Sequence, residues 1–345
     1  MLKTYTIEQA MEWDKVVRSF NEYDTYWLSG YSKGFQIHGD GEPLLFYYED
    51  EHLRGINVVM KRDIAKSEIF RGKLSENILF DFCTPYGYGG WLIEGENQES
   101  LFDEYDNWCK NHRIVSEFVR FHPVLQNHKF NADAYDVCPL GNTVAIDLSS
   151  PDIIWTNIIS KCRNKIRKAK KNGVQIYSGR YPEIYKEFRF IYNSTMDKDH
   201  ADKYYYFEEP FYESILNDLP QNAQIFYAVY DGIIIAASIM LISNSRMNYH
   251  LSGSLSDYAH LAPINLLLYE AALWGCAHGC KTLYLGGGVG SDEDSLYKFK
   301  KSFNRLDNDN KFYIGKKIFL RDEYDQLLEM RGETNSSFFP KYRRK

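Results

Sequence analysis

The sequence lacks the features that mark exported, membrane-spanning and disulfide-bonded proteins. No run of its 345 residues approaches the about 20 apolar residues of a transmembrane helix, so no transmembrane segment is predicted. The opening segment MLKTYTIEQAMEWDK is polar and does not resemble a signal peptide. Six cysteines are scattered along the chain, a pattern typical of reduced thiols. We therefore predict a cytoplasmic protein.

An excess of positive charge and the common metal and dinucleotide motifs are also missing. The net charge is −6, so a polyanion would need a local basic patch. Cys276 and Cys280 share a helix face, but His278 points away and no fourth ligand is evident, which favours core thiols over a metal site. The glycine-rich run 286–294 departs from Gly-x-Gly-x-x-Gly, and its acidic residues 292–294 would repel a phosphate. A dinucleotide-dependent enzyme is therefore disfavoured.

Aromatic residues, by contrast, are abundant. They form 16% of the chain, with 28 tyrosines. Tyrosine has a flat apolar body and a polar tip, which suits pockets for polar, ring-bearing ligands. A tyrosine-rich core explains the composition equally well. The length of the chain favours two domains over one.

The order of predicted elements occurs twice. Alternation and turn residues predict, in the first half, a hairpin over 44–60, a strand over 76–82, a helix over 98–112 and a strand over 113–121. The second half repeats this order with a hairpin over 224–242, a strand over 246–253, a helix over 263–278 and a strand over 281–288. Hairpins imply antiparallel pairing. The sequence therefore predicts an α+β fold with mixed, mainly antiparallel sheets, divided into domains 1–148 and 149–335 and a basic tail 336–345.

A strongly basic helix is predicted over 150–172. Ser150 is a suitable N-cap, and Gly173 follows the end of the helix. One face is apolar, and the other carries seven cations within 161–171 and no acid. Like charges at this spacing repel each other, so an anionic partner such as a phosphate or the acceptor arm of a tRNA would stabilise the helix. A solvated face balanced by nearby carboxylates is the alternative.

Eight short segments carry a resemblance to a known family. In chain order they are TPYGYGG (84–90), EFVRFHP (117–123), KCRNKIRKAKKNGV (161–174), TMDKDHADKYYYF (195–207), YHLSGS (249–254), APINLLLYEAALWGCAHG (262–279), YLGGG (284–288) and LYKFKKSF (296–303). Together they resemble the Fem-type transferases, which add amino acids to cell-wall precursors, and their acyltransferase relatives in the GNAT superfamily. The resemblance implies two tandem GNAT-like domains, the first for acceptor binding and the second with the acyl-transfer cleft.

The resemblance also implies a reaction. It is direct acyl transfer to an amine, without a covalent enzyme intermediate and without a tightly bound cofactor. In the Fem branch the donor is an aminoacyl-tRNA, and the acceptor is a UDP-linked or lipid-linked peptidoglycan precursor. In related branches the donor is an acyl-CoA and the acceptor an amino sugar of a surface polysaccharide. The segment 254–263 lacks the glycines with which acetyl-CoA enzymes hold a pyrophosphate, so acetyl-CoA binding in that manner is disfavoured.

The resemblance further indicates site residues. Lys300 falls at the lysine of the family's Phe-Lys-x-x-Phe pattern and would stabilise an oxyanion or a phosphate leaving group. Tyr205 and Tyr249 are the other catalytic candidates. The predicted substrate-binding residues are Lys33, Tyr86, Tyr88, Arg163, Arg167, His200, Tyr204, His250, Asn265, Gly286 and Gly287. Tyr249 and His250 are adjacent in a strand and should face opposite sides, and the sequence does not decide which one faces the cleft.

Two further alternatives remain open at this point. The chain could be a non-catalytic module that binds tRNA or a nucleotide sugar, since the basic helix supports binding but not chemistry. The basic, aromatic tail 336–345 could contact the inner membrane face or a lipid-linked acceptor, although a frayed terminus is the simpler expectation.

Overall fold

A computed structural model describes residues 1–290, 292–332 and 338–344 and divides the chain into two compact units. The first unit contains residues 1–140 and 312–345, and the second contains residues 141–311. These bounds differ from the predicted ones, because the segment after 311 belongs to the first unit and not to the second. No local signal marks this return, since it depends on strand pairing and packing between residues far apart in the sequence.

The first unit is built on a mainly antiparallel sheet. Its strands are β1 (Leu2–Tyr5), β2 (Glu42–Glu49), β3 (Leu53–Asp63), β4 (Phe80–Cys83), β5 (Leu92–Gly95), β6 (Ile114–Arg120) and the larger part of β13 (Asn310–Ile318). The strand order is β1-β2-β3-β4-β6-β13, with β5 also paired to β3. The pair β4 and β6 is parallel, whereas the other pairs in this order are antiparallel. Pairing of β13 with β6 returns the chain to this unit.

Among the described residues of the first unit, four α-helices accompany this sheet. They are α1 (Ala10–Arg18), α2 (Ser29–His38), α3 (Glu99–Asn111) and α10 (Arg321–Arg331). A capping box of Thr6 and Gln9 opens a short 3₁₀ turn before α1. The core is aromatic, with Phe46 and Trp91 fully buried and both in edge contact with Tyr105. Part of the tyrosine content of the sequence is therefore core packing.

The described part of the C-terminal tail packs into the first unit. Tyr342 is fully buried, and its hydroxyl donates a 3.0 Å hydrogen bond to Asp81 and lies 2.8 Å from the hydroxyl of Ser116. The guanidinium of Arg343 forms an ion pair with Asp81, which Arg62 also contacts at 2.8 Å. The expectation of a frayed end is therefore wrong for residues 338–344. Residues 336, 337 and 345 lie outside the described residues.

The second unit has a sheet of the same kind. Its strands are β7 (Asp136–Asp147), which begins in the first unit, and β8 (Gln175–Gly179), β9 (Ala223–Tyr230), β10 (Ile233–Ser243), β11 (Arg246–Ser254) and β12 (Thr282–Gly286). The strand order is β7-β12-β11-β10-β9-β8, with β11 and β12 parallel. The predicted hairpin turn at Asp231 and Gly232 is present, and both residues have positive φ, as a two-residue hairpin turn requires.

In the part of the second unit that the structure describes there are six α-helices. They are α4 (Pro151–Asn157), α5 (Ser160–Lys171), α6 (Pro182–Lys198), α7 (Glu209–Asp218), α8 (Pro263–Ala277) and α9 (Ser295–Lys301). The prediction of one continuous basic helix over 150–172 is wrong, because Ile158 and Ile159 have extended backbone between α4 and α5. The amide of Ile159 donates to the carbonyl of Ser302 at 3.0 Å, so this backbone is satisfied by a distant segment.

A shared side-chain pair shows that the two units repeat each other in detail. In α3 the ring of His112 stacks on Trp108 at 3.7 Å, and in α8 the ring of His278 stacks on Trp274 at 3.8 Å. Each histidine also bonds the carbonyl of its tryptophan through Nδ1 at 2.8 Å. Each pair lies at the C-terminal end of its helix. The helix α3 precedes β6 and the helix α8 precedes β12, and each of these strands pairs in parallel with a neighbour. The sequence pattern alone had not shown this identity of residues.

The predicted fold class is confirmed: the chain is an α+β protein with two similar halves and mainly antiparallel sheets. In the part of the chain that the structure describes, every helix is too short or too polar to cross a bilayer.

Candidate functional site

The parallel strands β11 and β12 separate at the centre of the second unit. Their register joins Arg246–Asn248 to Thr282–Tyr284 and ends there. Beyond this point β11 has a bulge at His250, since Tyr249 and Leu251 pair with consecutive residues of β10. A bulge bends a strand and changes the direction of its side chains. The two strand ends therefore form an opening, which we call the β11–β12 opening.

Lys300 places a charged group at this opening. Its side chain extends from α9, is only 9% exposed, and donates a 2.6 Å hydrogen bond from Nζ to the carbonyl oxygen of Gly287. The same nitrogen lies 6.0 Å from the centre of the Tyr249 ring. A Cβ atom on Gly286 would lie 3.3 Å from it. The structure thus brings together four of the predicted site residues: Lys300, Tyr249, Gly286 and Gly287.

Burial changes the acid–base properties of these groups. Desolvation lowers the pKa of Lys300 to about 8, although the nearby Asp294 carboxylate acts in the opposite direction. Desolvation also raises the pKa of Tyr249 to about 12 and lowers the pKa of His250 to about 3. At neutral pH the site therefore holds a neutral phenol and a lysine that is mostly protonated, and His250 at the β11 bulge is a neutral imidazole.

The glycine-rich run after β12 is occupied by a carboxylate of the chain itself. Asp294 caps α9 and accepts hydrogen bonds from the amides of Val289 at 2.7 Å and Tyr297 at 2.8 Å. These backbone hydrogen bonds hold the pKa of Asp294 below its usual range. The amides that could hold a phosphate are thus already bonded to an anion. This arrangement agrees with the sequence argument against a dinucleotide site.

Other predicted residues of the second unit lie in different surroundings. Asn265 is buried in α8 and donates to the sulfur of Cys162 at 3.3 Å, so it joins α8 to α5. Tyr204 and Tyr205 follow α6, where their rings are in edge contact at 5.4 Å. His200 lies just before them, with a positive φ of 49°. Asn265 thus makes a packing contact inside the second unit, and the segment 200–205 is separate in sequence from the residues around Lys300.

The basic helix α5 is partly compensated. The guanidinium groups of Arg163 and Arg167 lie 5.9 and 5.1 Å from the ring of Trp155. Lys170 forms a 2.7 Å ion pair with Glu270. Among the residues that the structure describes, Lys170 is the only α5 cation with a carboxylate oxygen within 4 Å. The described structure thus leaves most of this face without a carboxylate partner.

A cavity of about 580 Å³ lies beside α9. It is lined by both cationic and anionic side chains, together with a few neutral ones: Asn142, Ile159, Glu293, Tyr297, Lys298, Lys301, Ser302, Arg305, Asp307 and Asp309. Lys301 and Asp309 form a 2.6 Å ion pair within it. No sequence pattern marks this cavity, because its lining comes from segments brought together only by folding.

The first unit contains an aromatic cluster around the segment 84–90. Tyr88 is buried, with ring contacts to Tyr26 at 5.3 Å, His122 at 5.2 Å and Phe312 at 5.7 Å. Tyr86 accepts a hydrogen bond on its carbonyl from the hydroxyl of Tyr31. Lys33 is half-buried on α2, the helix that also carries Tyr31. Of the predicted residues, Tyr86 and Tyr88 therefore belong to one cluster, and Lys33 lies two residues after Tyr31 on α2.

In the first unit, the segment 84–90 continues the backbone pairing with β6 beyond the end of β4. The amide of Thr84 donates to Phe118 at 3.1 Å, and the amide of Gly89 donates to Arg120 at 2.8 Å. A parallel bridge then joins Gly89 to Phe121. Thus the parallel partner of β6 continues through the segment 84–90, whereas the corresponding strands of the second unit diverge. The opening described above is a feature of the second unit.

Comparison with known proteins also points to the second unit as the one that carries the site. The family profile described as acetyltransferase (GNAT) domain matches residues 158–301. This chain contains a GNAT acyltransferase domain. The β11–β12 opening and Lys300 both lie within the matched GNAT segment. Comparison with curated protein sequences gave no match.

Solved structures extend the similarity beyond the GNAT segment. The crystal structure of FemX matches with a TM-score of 0.70 and 14% identity, over 94% of this chain and 99% of that one. The C-terminal domain of a putative lysylphosphatidylglycerol synthetase from Agrobacterium fabrum matches with a TM-score of 0.55 and 12% identity, over 90% and 91%. A tandem GNAT protein of the clavulanic acid biosynthesis pathway matches with a TM-score of 0.51 and 8% identity, over 92% and 99%.

These findings confirm the predicted resemblance to Fem-type GNAT acyltransferases at the level of fold, and the chain is an acyltransferase. No sequence pattern indicates that Arg120, His122 and Phe312 of the first unit meet at its aromatic cluster. The segment EFVRFHP was noted for its resemblance, but a single arginine in a strand gave no reason to assign it a ligand.

Proposed function

We propose that this acyltransferase moves an aminoacyl or acyl group to an amine on a UDP-linked or lipid-linked precursor of the cell envelope, in peptidoglycan or surface-polysaccharide synthesis. The observation that carries the proposal is the buried amine of Lys300 at the β11–β12 opening. Two of the similar folds carry names that point the same way, FemX and a putative lysylphosphatidylglycerol synthetase, whose name states a lysylated phospholipid. The precursor class is inferred from these names together with the resemblance in the sequence.

The chemistry follows from the groups at the opening. The neutral amine of the acceptor attacks the carbonyl carbon of the donor, and a C–N bond forms as the bond to the leaving group breaks. The lysine cation stabilises the oxyanion of the tetrahedral intermediate or the charge on the leaving group. Tyr249 keeps its proton well above neutral pH and offers a second hydrogen-bond donor. The proton lost by the acceptor amine leaves with the departing group, so no covalent enzyme intermediate is needed.

The structure around α8 supports a donor other than acetyl-CoA bound in the usual manner. The segment before α8 forms a 3₁₀ turn over Ser256–Leu261, and Ala262 precedes Pro263 with a positive φ of 55°. No glycine lies in it to let a pyrophosphate approach the backbone. The cations of α5 favour aminoacyl-tRNA as a co-substrate. We therefore propose aminoacyl-tRNA as the first donor to test and acyl-CoA as the second, without a tightly bound cofactor.

The proposed reaction implies a location. Its donors and nucleotide-linked acceptors are cytoplasmic molecules, and a lipid-linked acceptor would bring the protein to the inner membrane face. The described tail residues are engaged within the first unit, so membrane contact through Tyr342 or Arg343 would first require their release.

A paired donor assay tests the proposal. Purified protein is incubated with an extract rich in UDP-linked sugars, with labelled aminoacyl-tRNA in one arm and acetyl-CoA with thiol detection in the other. We expect label to move from tRNA to the UDP-linked pool, and Lys300→Ala to abolish this transfer. Lys298→Ala is the matched control, because Lys298 is exposed on the same helix. Full activity of Lys300→Ala would remove the catalytic assignment.

The cations of α5 support a second candidate function, binding without catalysis. The α5 cations without a carboxylate partner would also suit a module that binds tRNA or a nucleotide sugar without transferring anything. Retention of tRNA with no transfer in either arm, repeated with a lipid-linked acceptor, would favour this alternative. Thiol release would instead indicate an acyl-CoA-dependent N-acetyltransferase of an amino sugar.

A further inference from the structure

Asp294 joins the glycine-rich run after β12 to the helix α9. One carboxylate oxygen accepts a 2.8 Å hydrogen bond from the amide of Tyr297 in the first turn of the helix. The other oxygen accepts a 2.7 Å hydrogen bond from the amide of Val289, two residues after Gly287. Hydrogen bonds to an ionised acceptor are stronger than those between neutral groups. The carboxylate therefore ties the glycine-rich run to the helix that carries Lys300.

The glycine-rich run packs closely against this carboxylate and against β7. A Cβ atom on Gly288 would lie 2.7 Å from the carboxylate carbon of Asp294 and closer still to one of its oxygens. A Cβ atom on Gly287 would lie 2.9 Å from the carbonyl oxygen of Asn142 in β7. Glycine at these two positions leaves the space that the carboxylate and the β7 backbone fill. The carbonyl group of Gly287 therefore has a fixed place.

That carbonyl is the hydrogen-bond acceptor of Lys300. The amine donates to it at 2.6 Å, and the side chain starts from α9, which Asp294 caps. The carboxylate thus fixes both the helix that carries the amine and the backbone that the amine contacts. A displacement of either one moves the positive charge relative to the β11–β12 opening. A misplacement of about 1 Å at a reacting centre can lower a rate by roughly a hundredfold.

Asp294 also acts on the charge of Lys300. The phenol of Tyr249 faces the amine from β11, the carbonyl of Gly287 faces it after β12, and the carboxylate of Asp294 acts on it from the start of α9. The phenol is neutral, because burial raises its pKa to about 12, so Asp294 supplies the negative charge. This charge opposes the desolvation that lowers the pKa of Lys300 to about 8.

We propose that Asp294 is a positioning residue for acyl transfer, which holds the ammonium group of Lys300 at the β11–β12 opening by fixing both α9 and the carbonyl of Gly287. This inference rests on the proposed function, because that function makes Lys300 the cation of the transfer site. It adds a residue that acts through Lys300 and needs no contact with donor or acceptor. The glycine-rich run then serves to receive a carboxylate of the chain and not a phosphate.

A purely structural helix cap makes a different prediction. In that case any loss of activity follows the loss of stability and is the same at every pH. Asp294→Asn removes the negative charge but keeps an oxygen acceptor for the cap. Gly288→Ala keeps the charge but displaces the carboxylate, because the new methyl group would overlap with it. Asp63→Asn is the matched control, since this carboxylate of the first unit also accepts two backbone amides, from Ala65 at 3.0 Å and Asn77 at 2.8 Å.

Two measurements on the full chain test the proposal, the pH profile of kcat/KM and a direct titration of Lys300. In protein labelled with ¹³C-lysine, the NMR signal that is missing from Lys300→Met belongs to Lys300 and reports the protonation of its amine. We expect Asp294→Asn to titrate at lower pH than the wild type, since the charge that favours the cation is gone, and the alkaline decline of kcat/KM to move with it. Gly288→Ala should lower kcat by about tenfold to a hundredfold at pH 7. Asp63→Asn should change neither quantity.

The thermal midpoint of each variant shows whether its fold is intact. A Lys300 titration that is the same in the wild type and in folded Asp294→Asn would overturn the inference, as would a folded Gly288→Ala with the wild-type kcat. A fall in the activity of Asp294→Asn by one factor at every pH would also overturn it in favour of the structural role. The titration does not depend on transfer. An Asp294-dependent titration without transfer from either donor would therefore reject the proposed function and leave the coupling of Asp294 to Lys300 in place.

Discussion

The amine of Lys300 lies 2.6 Å from the carbonyl oxygen of Gly287, where the chain leaves β12. This contact joins the helix α9 to the strand end that has separated from β11. It places an amine that is almost fully buried at the opening between the two strands. An acyl carbonyl that enters this opening therefore meets a positive charge with little water around it, where electrostatic stabilisation is strong.

The rate of acyl transfer should fall in mildly alkaline solution. If the lysine acts as a cation, activity declines as Lys300 loses its proton near pH 8. A Lys300→Arg variant keeps its charge to much higher pH, so any activity that it retains should lack this decline. The measurement is kcat/KM from pH 6 to 10 for both proteins. A wild-type rate that instead rises through pH 8 would show that the neutral amine is the active form.

Burial of Lys300 should also lower stability in a pH-dependent manner. Its folded pKa is about 8, below the ordinary 10.5, so the unfolded chain binds more protons between these values and stability rises with pH there. Lys300→Met should therefore be more stable than the wild type at pH 7, by up to about 3 kcal/mol, since a change of one in pKa corresponds to about 1.4 kcal/mol. The difference should shrink between pH 8 and 10.5, as measured by urea unfolding. A constant difference over this range would contradict the assignment.

The C-terminal tail should stabilise the first unit. Burial acts to raise the pKa of Asp81, but Arg343 and Arg62 outweigh it and hold this pKa below its usual range. The stabilisation is therefore present above the ordinary pKa and lost as the pH falls through the folded one. We expect Tyr342→Phe to cost about 1–3 kcal/mol and Arg343→Met to reduce the loss of stability in acid.

Urea unfolding between pH 3 and 7 measures both effects on the tail. Lys341→Met is the control, because the side chain of Lys341 is exposed on the same turn. Equal stability of all three variants and the wild type would show that the tail contributes nothing to the first unit.

Helix α6 should be sensitive to a methyl group on β11. A Cβ atom on Gly253 would lie 2.8 Å from the carbonyl oxygen of Ile191 and from the Cα of Tyr192, both in the backbone of α6. The helix would have to move, so Gly253→Ala should lower the stability by about 1–3 kcal/mol. Thermal unfolding compares it with Ser252→Ala, a change on the same strand. An equal effect of the two substitutions would mean that α6 adjusts freely.

The exposed cations of α5 should govern any affinity for tRNA. If Lys165→Gln or Lys168→Gln removes one ion pair with a phosphate, the slope of log affinity against log salt should become shallower by roughly 0.7–0.9. Filter binding from 50 to 300 mM salt measures this slope. Lys186→Gln serves as the control, since Lys186 lies on α6 beside Glu209. Unchanged slopes would identify this face of α5 as merely solvated.

Local signals in the sequence predicted most of the elements. Alternation and turn residues predicted the hairpin over 224–242, whose turn is at Asp231 and Gly232, and the helix over 263–278, which is α8 (Pro263–Ala277). The acidic residues 292–294 were also expected to disfavour a phosphate at the glycine-rich run, and Asp294 accepts hydrogen bonds from the amides of Val289 and Tyr297 there. These features depend on residues within a few positions of one another, which a linear sequence displays directly.

The sequence by itself thus determined the repeated order of strands and helices, the basic face of α5 and the resemblance that points to Lys300. Only the tertiary structure decided that Lys300 meets Gly287, that Ile158 and Ile159 interrupt a helix, and that the segment after 311 returns to the first unit. The physical reason is that these outcomes depend on contacts between distant segments. Such contacts arise from shape, burial and backbone pairing, and no short sequence pattern encodes them.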